Sequence, residues 1–254
     1  MNDVSEYDDF AVDYEWVYSD ATLTGEGRVV GLQRLLSEVP PGGAIVDSAC
    51  GTGITALALA RAGFRVEGAD ASRGMIARAR EHARAEGLDV PFTVCSWVEL
   101  PDRFERKFDL VLCCGNAIGH CSSDDEMLRS LQGMRAVLKD SGRLLIDSRN
   151  WKKLLAERPR FTAFGVRERE GLRCIPFYVW TFPDRPRGPV LVEVVFLFDR
   201  DGKVHLKSHR VTYYPFQVEE LLDRLEKAGF TEPSTEYADD KDVYRVTVRR
   251  GSLP

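Results

Sequence analysis

The 254-residue chain predicts an α/β fold: a Rossmann-like parallel sheet with helices on both faces and a late antiparallel β insertion. Three observations carry this expectation. Short apolar runs alternate with amphipathic stretches through residue 150, the rhythm of strand–helix–strand units with right-handed crossovers. Runs such as "FDLVLCCG" (108–115) lack polar alternation, as strands covered on both faces do. After residue 150 two long runs flank a "DRDG" turn (199–202), which reads as an antiparallel hairpin.

The elements follow in order. Residues 1–20 are acidic and aromatic, with Tyr7, Phe10, Tyr14, Trp16 and Tyr18. Residues 26–38 read as a helix with Val29, Val30, Leu32, Leu35 and Leu36 on one side. "PPGG" (40–43) stops it, and "AIVDSA" (44–49) is a buried strand. "ITALALARAG" is a helix closed by Gly63, and "FRVEGAD" (64–70) is the second strand. The next helix, 72–87, has Ser72 as its cap and Gly87 as its stop. "PFTVCS" and "FDLVLCCG" are the third and fourth strands. A helix with its turn at 124–142 and the strand "RLLIDSRN" (143–150) complete the alternating part. "QVEELLDRLEKAGF" is an amphipathic helix ending at Gly229, and "DVYRVTVRR" is a last strand. One domain is expected, in four parts: an N-terminal helical region (1–38), a cofactor-binding core (39–150), an antiparallel substrate region (151–214) and a C-terminal helix and strand (215–254).

Composition narrows the function. Hydrophobic content of 44% and charged content of 30% suit a soluble globular protein. A formal net charge of −5 disfavours a nucleic-acid partner, which needs surplus Lys and Arg. No apolar run approaches the roughly 20 residues that span a bilayer. "MNDVSEYDDF" has no apolar signal region, so a cytoplasmic setting is expected. Six scattered cysteines form no disulfide framework. Cys113, Cys114, His120 and Cys121 lie close, but adjacent strand residues face opposite ways, so no metal site is expected. His205 and His209, with Lys207 between them, read as the solvent face of the hairpin.

The stretch "IVDSACGTG" (45–53) holds the main signal. A strand ends in Asp47, and Gly51 and Gly53 then allow a tight turn and close approach of a ligand. The second strand ends in Asp70, where an acid accepts hydrogen bonds from ribose hydroxyls. Trp97 follows the third strand, beside the place a purine would take. Asp47 suits an ammonium and repels a pyrophosphate, and no P-loop lysine pattern is present. The ligand is therefore a nucleoside carrying a cation, the character of S-adenosylmethionine.

"VDSACGTG" followed by "EGADAS" resembles the first two motifs of class I S-adenosylmethionine-dependent methyltransferases, over roughly residues 44–147. "CSWVEL", "CCGNAIGH", "LLIDSRNW" and "RVTYYPF", in that order, resemble the glycine N-methyltransferase and glycine/sarcosine methyltransferase family. "YDDFAVDYEW" extends that likeness to the N-terminus. The resemblance implies that Asn116, His120 and Arg149 line the site and that Arg149 grips a substrate carboxylate. It also implies that Tyr7 covers the methyl donor. Tyr213 and Tyr214 precede Pro215; packing accounts for at least one, and Tyr214 is the candidate. Ala49, Ala71, Met75, Ser96 and Cys114 fall in or beside these motifs and complete the candidate cofactor set.

In-line methyl transfer asks the protein to hold donor and acceptor, not to supply a covalent nucleophile. The amine must be neutral to attack. His120 is a candidate to help remove its proton or to shape the site, in a supporting role. The expected reaction is N-methylation of glycine, sarcosine or dimethylglycine. Two alternatives stay open: an amino sugar or natural-product amine or hydroxyl as acceptor, and a non-catalytic binder of S-adenosylmethionine that regulates a partner. Residues 151–182 follow no pattern, with Tyr178 a substrate candidate, and a homo-oligomer is left open. The aromatic N-terminus suggests a segment that closes over the donor.

Overall fold

The computed structural model describes residues 5–105, 107–185 and 188–251. Residues 1–4 of the expected N-terminal region lie outside them. The apolar runs become β1 (Ala44–Asp47), β2 (Arg65–Asp70), β3 (Phe92–Val94), β4 (Phe108–Cys113) and β5 (Leu138–Arg149). These five are parallel neighbours in the order 5-4-1-2-3. The chain leaves β1 toward β2 on one side and returns to β4 on the other. The sheet's switch point is thus between β1 and β4, and a crevice opens beyond Asp47 and Cys113.

Nine helices among the described residues serve this sheet: α1 (Ser5–Phe10), α2 (Asp20–Leu23), α3 (Glu26–Leu36), α4 (Ile54–Arg61), α5 (Arg73–Glu86), α6 (Leu100–Arg103), α7 (Asp124–Ala136), α8 (Trp151–Glu157) and α9 (Val218–Lys227). Strand alternation splits the core in two. Ile45, Leu110, Leu112 and Leu145 pack with Leu32 and Leu36 of α3, Leu57 of α4 and Ile76 of α5. Val46, Val111, Leu144 and Ile146 pack on the other face with Leu131 of α7 and Leu221 of α9. Ser72 Oγ accepts from Met75 N (3.1 Å) and Gly87 ends α5 at φ 66°, as the sequence predicts. Val30 departs from expectation and is 69% exposed. It lies two residues, about 200°, from Leu32, on the opposite side of the helix.

The late region forms a second sheet of β6 (Phe161–Ala163), β7 (Arg167–Arg169), β8 (Leu172–Thr181), β9 (Val190–Arg200) and β10 (Lys203–Tyr213), with antiparallel order 10-9-8-6 and β7 also on β8. Asp201 and Gly202 turn the hairpin with φ 53° and 77°, the two positive values of a tight two-residue turn. Strand β11 (Phe230–Thr235), which the sequence reading omits, pairs with β12 (Val243–Arg250), itself antiparallel to β5. Its Pro233 falls in the register shift between Thr231 and Ser234, which hides the strand from pattern reading.

His205 and His209 need correction. They do not mark the solvent face. His209 is half-buried, bonds Asp13 Oδ2 (3.0 Å) and stacks on Phe10. His205, though exposed, stacks on Phe198 of the same face. The opposite face carries Val204 and Leu206, each 61% exposed. Strand β9 places Val194, Phe196 and Phe198 opposite the histidine side, so the partner strand, not β10's own hydropathy, decides which face is inner. No helix among the described residues is long and apolar enough to cross a membrane.

Candidate active site

Two adjoining chambers occupy the crevice. The first, about 890 Å³, is built from the loops that follow β1, β2 and β3. Asp47, Ala49, Gly51, Asp70, Ala71, Met75, Ser96, Trp97 and Cys114 all line it. Gly53 does not. Its φ is 89°, and a Cβ there would come within 3.1 Å of Phe92 and 3.2 Å of Ala79, so it serves helix packing. Gly51, at φ 53°, faces the chamber; a Cβ there would meet Tyr14 at 3.7 Å.

The acids of this chamber are held differently. Asp70 accepts from Gly51 N through Oδ2 and from Ser72 N through Oδ1, both at 2.9 Å. Each oxygen keeps a second lone pair for a hydroxyl donor. Burial raises its pKa. Asp47 is buried, and its Oδ1 has no partner. Burial pushes its pKa to about 7, while Arg28 and the Ala49 N–H pull the other way. A buried, unpartnered carboxylate oxygen in a ligand-sized cavity fits an ammonium group. Trp97 Nε1 donates to Ser48 O (2.8 Å), fixing the indole. Ser96 is committed to Glu99, with Oγ and N both bonded at 2.8 Å.

The N-terminal segment lies across this chamber. Asp8 Oδ1 accepts from Ser72 Oγ (2.6 Å) and Gly74 N (2.9 Å) at the start of α5. Glu6 accepts from Thr212 N and Oγ1, each at 3.3 Å. Asp13 pairs with Lys207 and His209. Arg167 and Arg169 donate to Tyr18 O, each at 2.9 Å. Tyr7, Tyr14 and Tyr18 thereby become chamber wall.

His120 and Tyr214 also line the first chamber. His120 Nδ1 is 2.8 Å from Thr212 O, which only accepts, so Nδ1 carries the proton. Nε2 then accepts from Tyr7 OH at 2.9 Å. Burial lowers the His120 pKa to about 4. Both nitrogens are engaged and the ring is a weak base. Of the two expected roles, this geometry favours shaping the site over removing the proton: His120 holds Tyr7. Tyr213 packs on His120 and Trp151, leaving Tyr214 as the tyrosine at the cavity.

Asn116 and Arg149 line the second chamber, about 730 Å³. The chambers share Tyr18, Arg28, Thr55, Cys114 and Gly115. Asn116 sits at φ 60°, a left-handed conformation that Asn tolerates. Its N donates to Asp147 Oδ1 (2.8 Å), and its Oδ1 accepts from Arg149 N (3.0 Å) and Ser148 Oγ (3.2 Å). Asn116 thus staples the ends of β4 and β5. Its Nδ2 is buried without a partner. The Arg149 guanidinium lies over Tyr178 (5.8 Å) and Trp180 (5.4 Å). Its Nε is buried and unpartnered, its guanidinium bonds the Tyr178 hydroxyl, and no carboxylate among the described residues pairs with it.

Arg28 and Asp147 escape the sequence reading, and Tyr18 enters it only as one of the N-terminal aromatics. Arg28 Nη1 donates to Thr55 Oγ1 (3.0 Å), with Asp47 acting on its charge. Nothing in a helical pattern marks such an arginine. Asp147 lies inside β5, two residues before its end at Arg149, so the strand-end pattern of Asp47 and Asp70 does not mark it.

Residues 45–142 match the family described as a methyltransferase domain. The chain is 32% identical over 113 residues to a glycine/sarcosine N-methyltransferase of Aphanothece halophytica, a match covering 44% of this chain and 43% of that protein. It therefore spans less than half the length of the curated relatives it matches first. Among solved structures, the methyltransferase CcbJ of Streptomyces caelestis superposes with a TM-score of 0.77 at 19% identity, covering 98% of this chain and 100% of that one. The sugar N-methyltransferase KedS8 of a Streptoalloteichus species superposes with a TM-score of 0.72 at 22% identity, covering 96% and 93%. Residues 45–142 thus match a methyltransferase domain, and the chain has a fold that solved methyltransferases share.

Proposed function

We propose that the chain is an S-adenosylmethionine-dependent N-methyltransferase whose acceptor is a small amine bearing a carboxylate, with glycine, sarcosine and dimethylglycine as first candidates. S-adenosylmethionine supplies a methyl group on a sulfonium sulfur. In this reading Asp47 takes the donor's ammonium, Arg28 its carboxylate and Asp70 its ribose hydroxyls. Ala71, Met75, Ser96 and Trp97 flank the base. Ala49, Gly51 and Cys114 shape the wall. Tyr7 and Tyr214 close the slot, with Tyr7 fixed by His120. Arg149 grips the acceptor's carboxylate as a planar fork, and Asn116 holds the strand end that carries it. Gly53 acts only through helix packing. Holding both partners in line is worth about 7–11 kcal/mol in favourable systems.

The observation that carries the reading is Arg149: a guanidinium inside a cavity, walled by two rings, with a buried Nε and no carboxylate of its own among the described residues. The test is transfer from labelled S-adenosylmethionine to each of the three amino acids, with product masses recorded. Transfer lowered about 30-fold or more in Arg149→Ala supports the reading. Cofactor binding without transfer to any of them removes it. A second reading, an amino sugar or a natural-product amine, is favoured by the size of the second chamber, about 730 Å³. That volume lies in the range of pockets for drug-sized ligands, and KedS8 is a sugar N-methyltransferase.

A further inference from the structure

We infer that Asp147 and Arg149 form a clamp for a zwitterion, Arg149 taking the acceptor's carboxylate and Asp147 its ammonium, and that Asp147 then receives the ammonium proton. This rests on the proposed N-methyl transfer and deepens it. The two residues are two apart on β5, so they lie on one face, about 6.8 Å apart along the strand. Both line the second chamber. An acid and a guanidinium so spaced complement a molecule carrying both charges a few bonds apart.

Asp147 is fixed where the clamp needs it. Its Oδ1 accepts from Asn116 N at 2.8 Å, and the Gly115 N–H also bonds the carboxylate. Gly115 and Cys114 belong to both chambers, so an amine on Asp147 sits at their junction. Glu236, Lys241, Tyr244, Arg167 and Arg245 also line the second chamber, but none of them lines the first. His120 is bonded at both nitrogens. Burial pushes the Cys114 thiol and the Tyr178 hydroxyl up, so neither is an anion at neutral pH. Asp47 belongs to the donor slot.

Charges reach Asp147 from several elements. Arg28 of α3 and Arg245 of β12 lower its pKa. Asp47 of β1 is the nearby acid, and Arg149 follows on the same strand. Burial is the largest influence and the pKa is raised, which brings a carboxylate closer to a useful base. In the step itself, one N–H bond of the ammonium breaks and its electron pair stays on nitrogen. An O–H bond forms on Asp147. A cation and an anion become a neutral amine and a neutral acid, and the proton returns to solvent when product leaves.

The test compares wild type with Asp147→Asn and Asp147→Glu. S-adenosylhomocysteine binding, by calorimetry, reports an intact donor slot. Sarcosine kcat/KM is measured from about pH 6 to 10. In Asp147→Asn the expected result is nucleoside affinity within about threefold of wild type, with kcat/KM about 100-fold lower at pH 7. That deficit shrinks about tenfold per pH unit as free amine accumulates, and Asp147→Glu recovers part of it. Wild-type kcat/KM and pH profile in Asp147→Asn overturn the clamp. A deficit equal at every pH overturns the proton step. Wild type alone gives a second test, should the variants not fold. Trimethylglycine should inhibit at least about tenfold better than acetate or tetramethylammonium; equal inhibition overturns the clamp. Wild type that binds S-adenosylhomocysteine but methylates no amino acid defeats the functional reading itself, before any variant is made.

Discussion

The donor slot and the acceptor chamber are built from different materials. The slot uses backbone: Gly51 and Ser72 N–H groups fix Asp70, Ala49 N–H reaches Asp47, and Trp97 is tied to a carbonyl. Its acids and its indole come from three short loops. The chamber uses long side chains from distant places: Asp147, Arg149 and Tyr178, with Tyr18 and Arg28 common to both. A backbone slot is preorganised for one ligand. A chamber of side chains can change its acceptor by changing a few of them.

Four measurements break or sharpen this contrast, the largest expected effect first. Asp47→Asn should weaken S-adenosylmethionine binding by about 10²- to 10³-fold, roughly 3–4 kcal/mol. The same variant should stabilise the empty protein. With a folded pKa of about 7 against about 3.9 unfolded, Asp47 contributes stability below pH 3.9 that is lost as pH rises through 7. At pH 8 the gain in Asp47→Asn is on the order of 2 kcal/mol or more, read by thermal melts. A variant that loses affinity without gaining stability means Asp47 is not strained by burial.

The second is a titration. His120 has a folded pKa of about 4 against about 6.5 unfolded, so its contribution to stability is present above pH 6.5 and lost as pH falls through 4. The loss is about 3 kcal/mol. Asp47 titrates in the opposite sense, so the comparison is Asp47→Asn against Asp47→Asn/His120→Asn by denaturant unfolding. Parallel pH curves for the two would show that His120 is not held neutral.

The third sits in the chamber. Arg149→Ala should lower acceptor kcat/KM by about 30- to 100-fold, roughly 2–3 kcal/mol, with donor affinity unchanged. A matching loss of donor affinity would merge the two regions into one. The smallest effect is at the edge of the slot. Asp8→Ala removes an acceptor from the start of α5 and should cost about 1 kcal/mol, lowering Tm by about 2–4 °C. An unchanged Tm would mean the N-terminal segment is not held there.

The same contrast explains what the sequence made legible. Asp47, Gly51, Asp70 and Trp97 are found from spacing alone, because a strand end and the turn after it fix where a side chain points. The parallel strands and the caps of α5 are legible for the same local reason. Arg28 is not, because its role depends on which sheet end α3 packs against. The two histidines of β10 are misread because burial there is decided by β9 and by α1, far away in sequence. The bonding of His120 is likewise invisible until Tyr7 and Thr212 are brought to it across the fold. Asp147 is not marked by the rule that finds Asp47, because β5 runs on past it to Arg149.

The N-terminal segment has a kinetic consequence. Glu6, Asp8, Asp13 and Glu15 on one side meet Thr212, Ser72, Lys207, His209, Arg78 and His82 on the other. Many of these contacts are charged and half-exposed, so dissolved ions weaken them while leaving the buried sheet untouched. In the proposed function, a nucleoside beneath Tyr7 and Tyr14 would leave when that fastening opens. Its residence time would then fall as ionic strength at the surface rises.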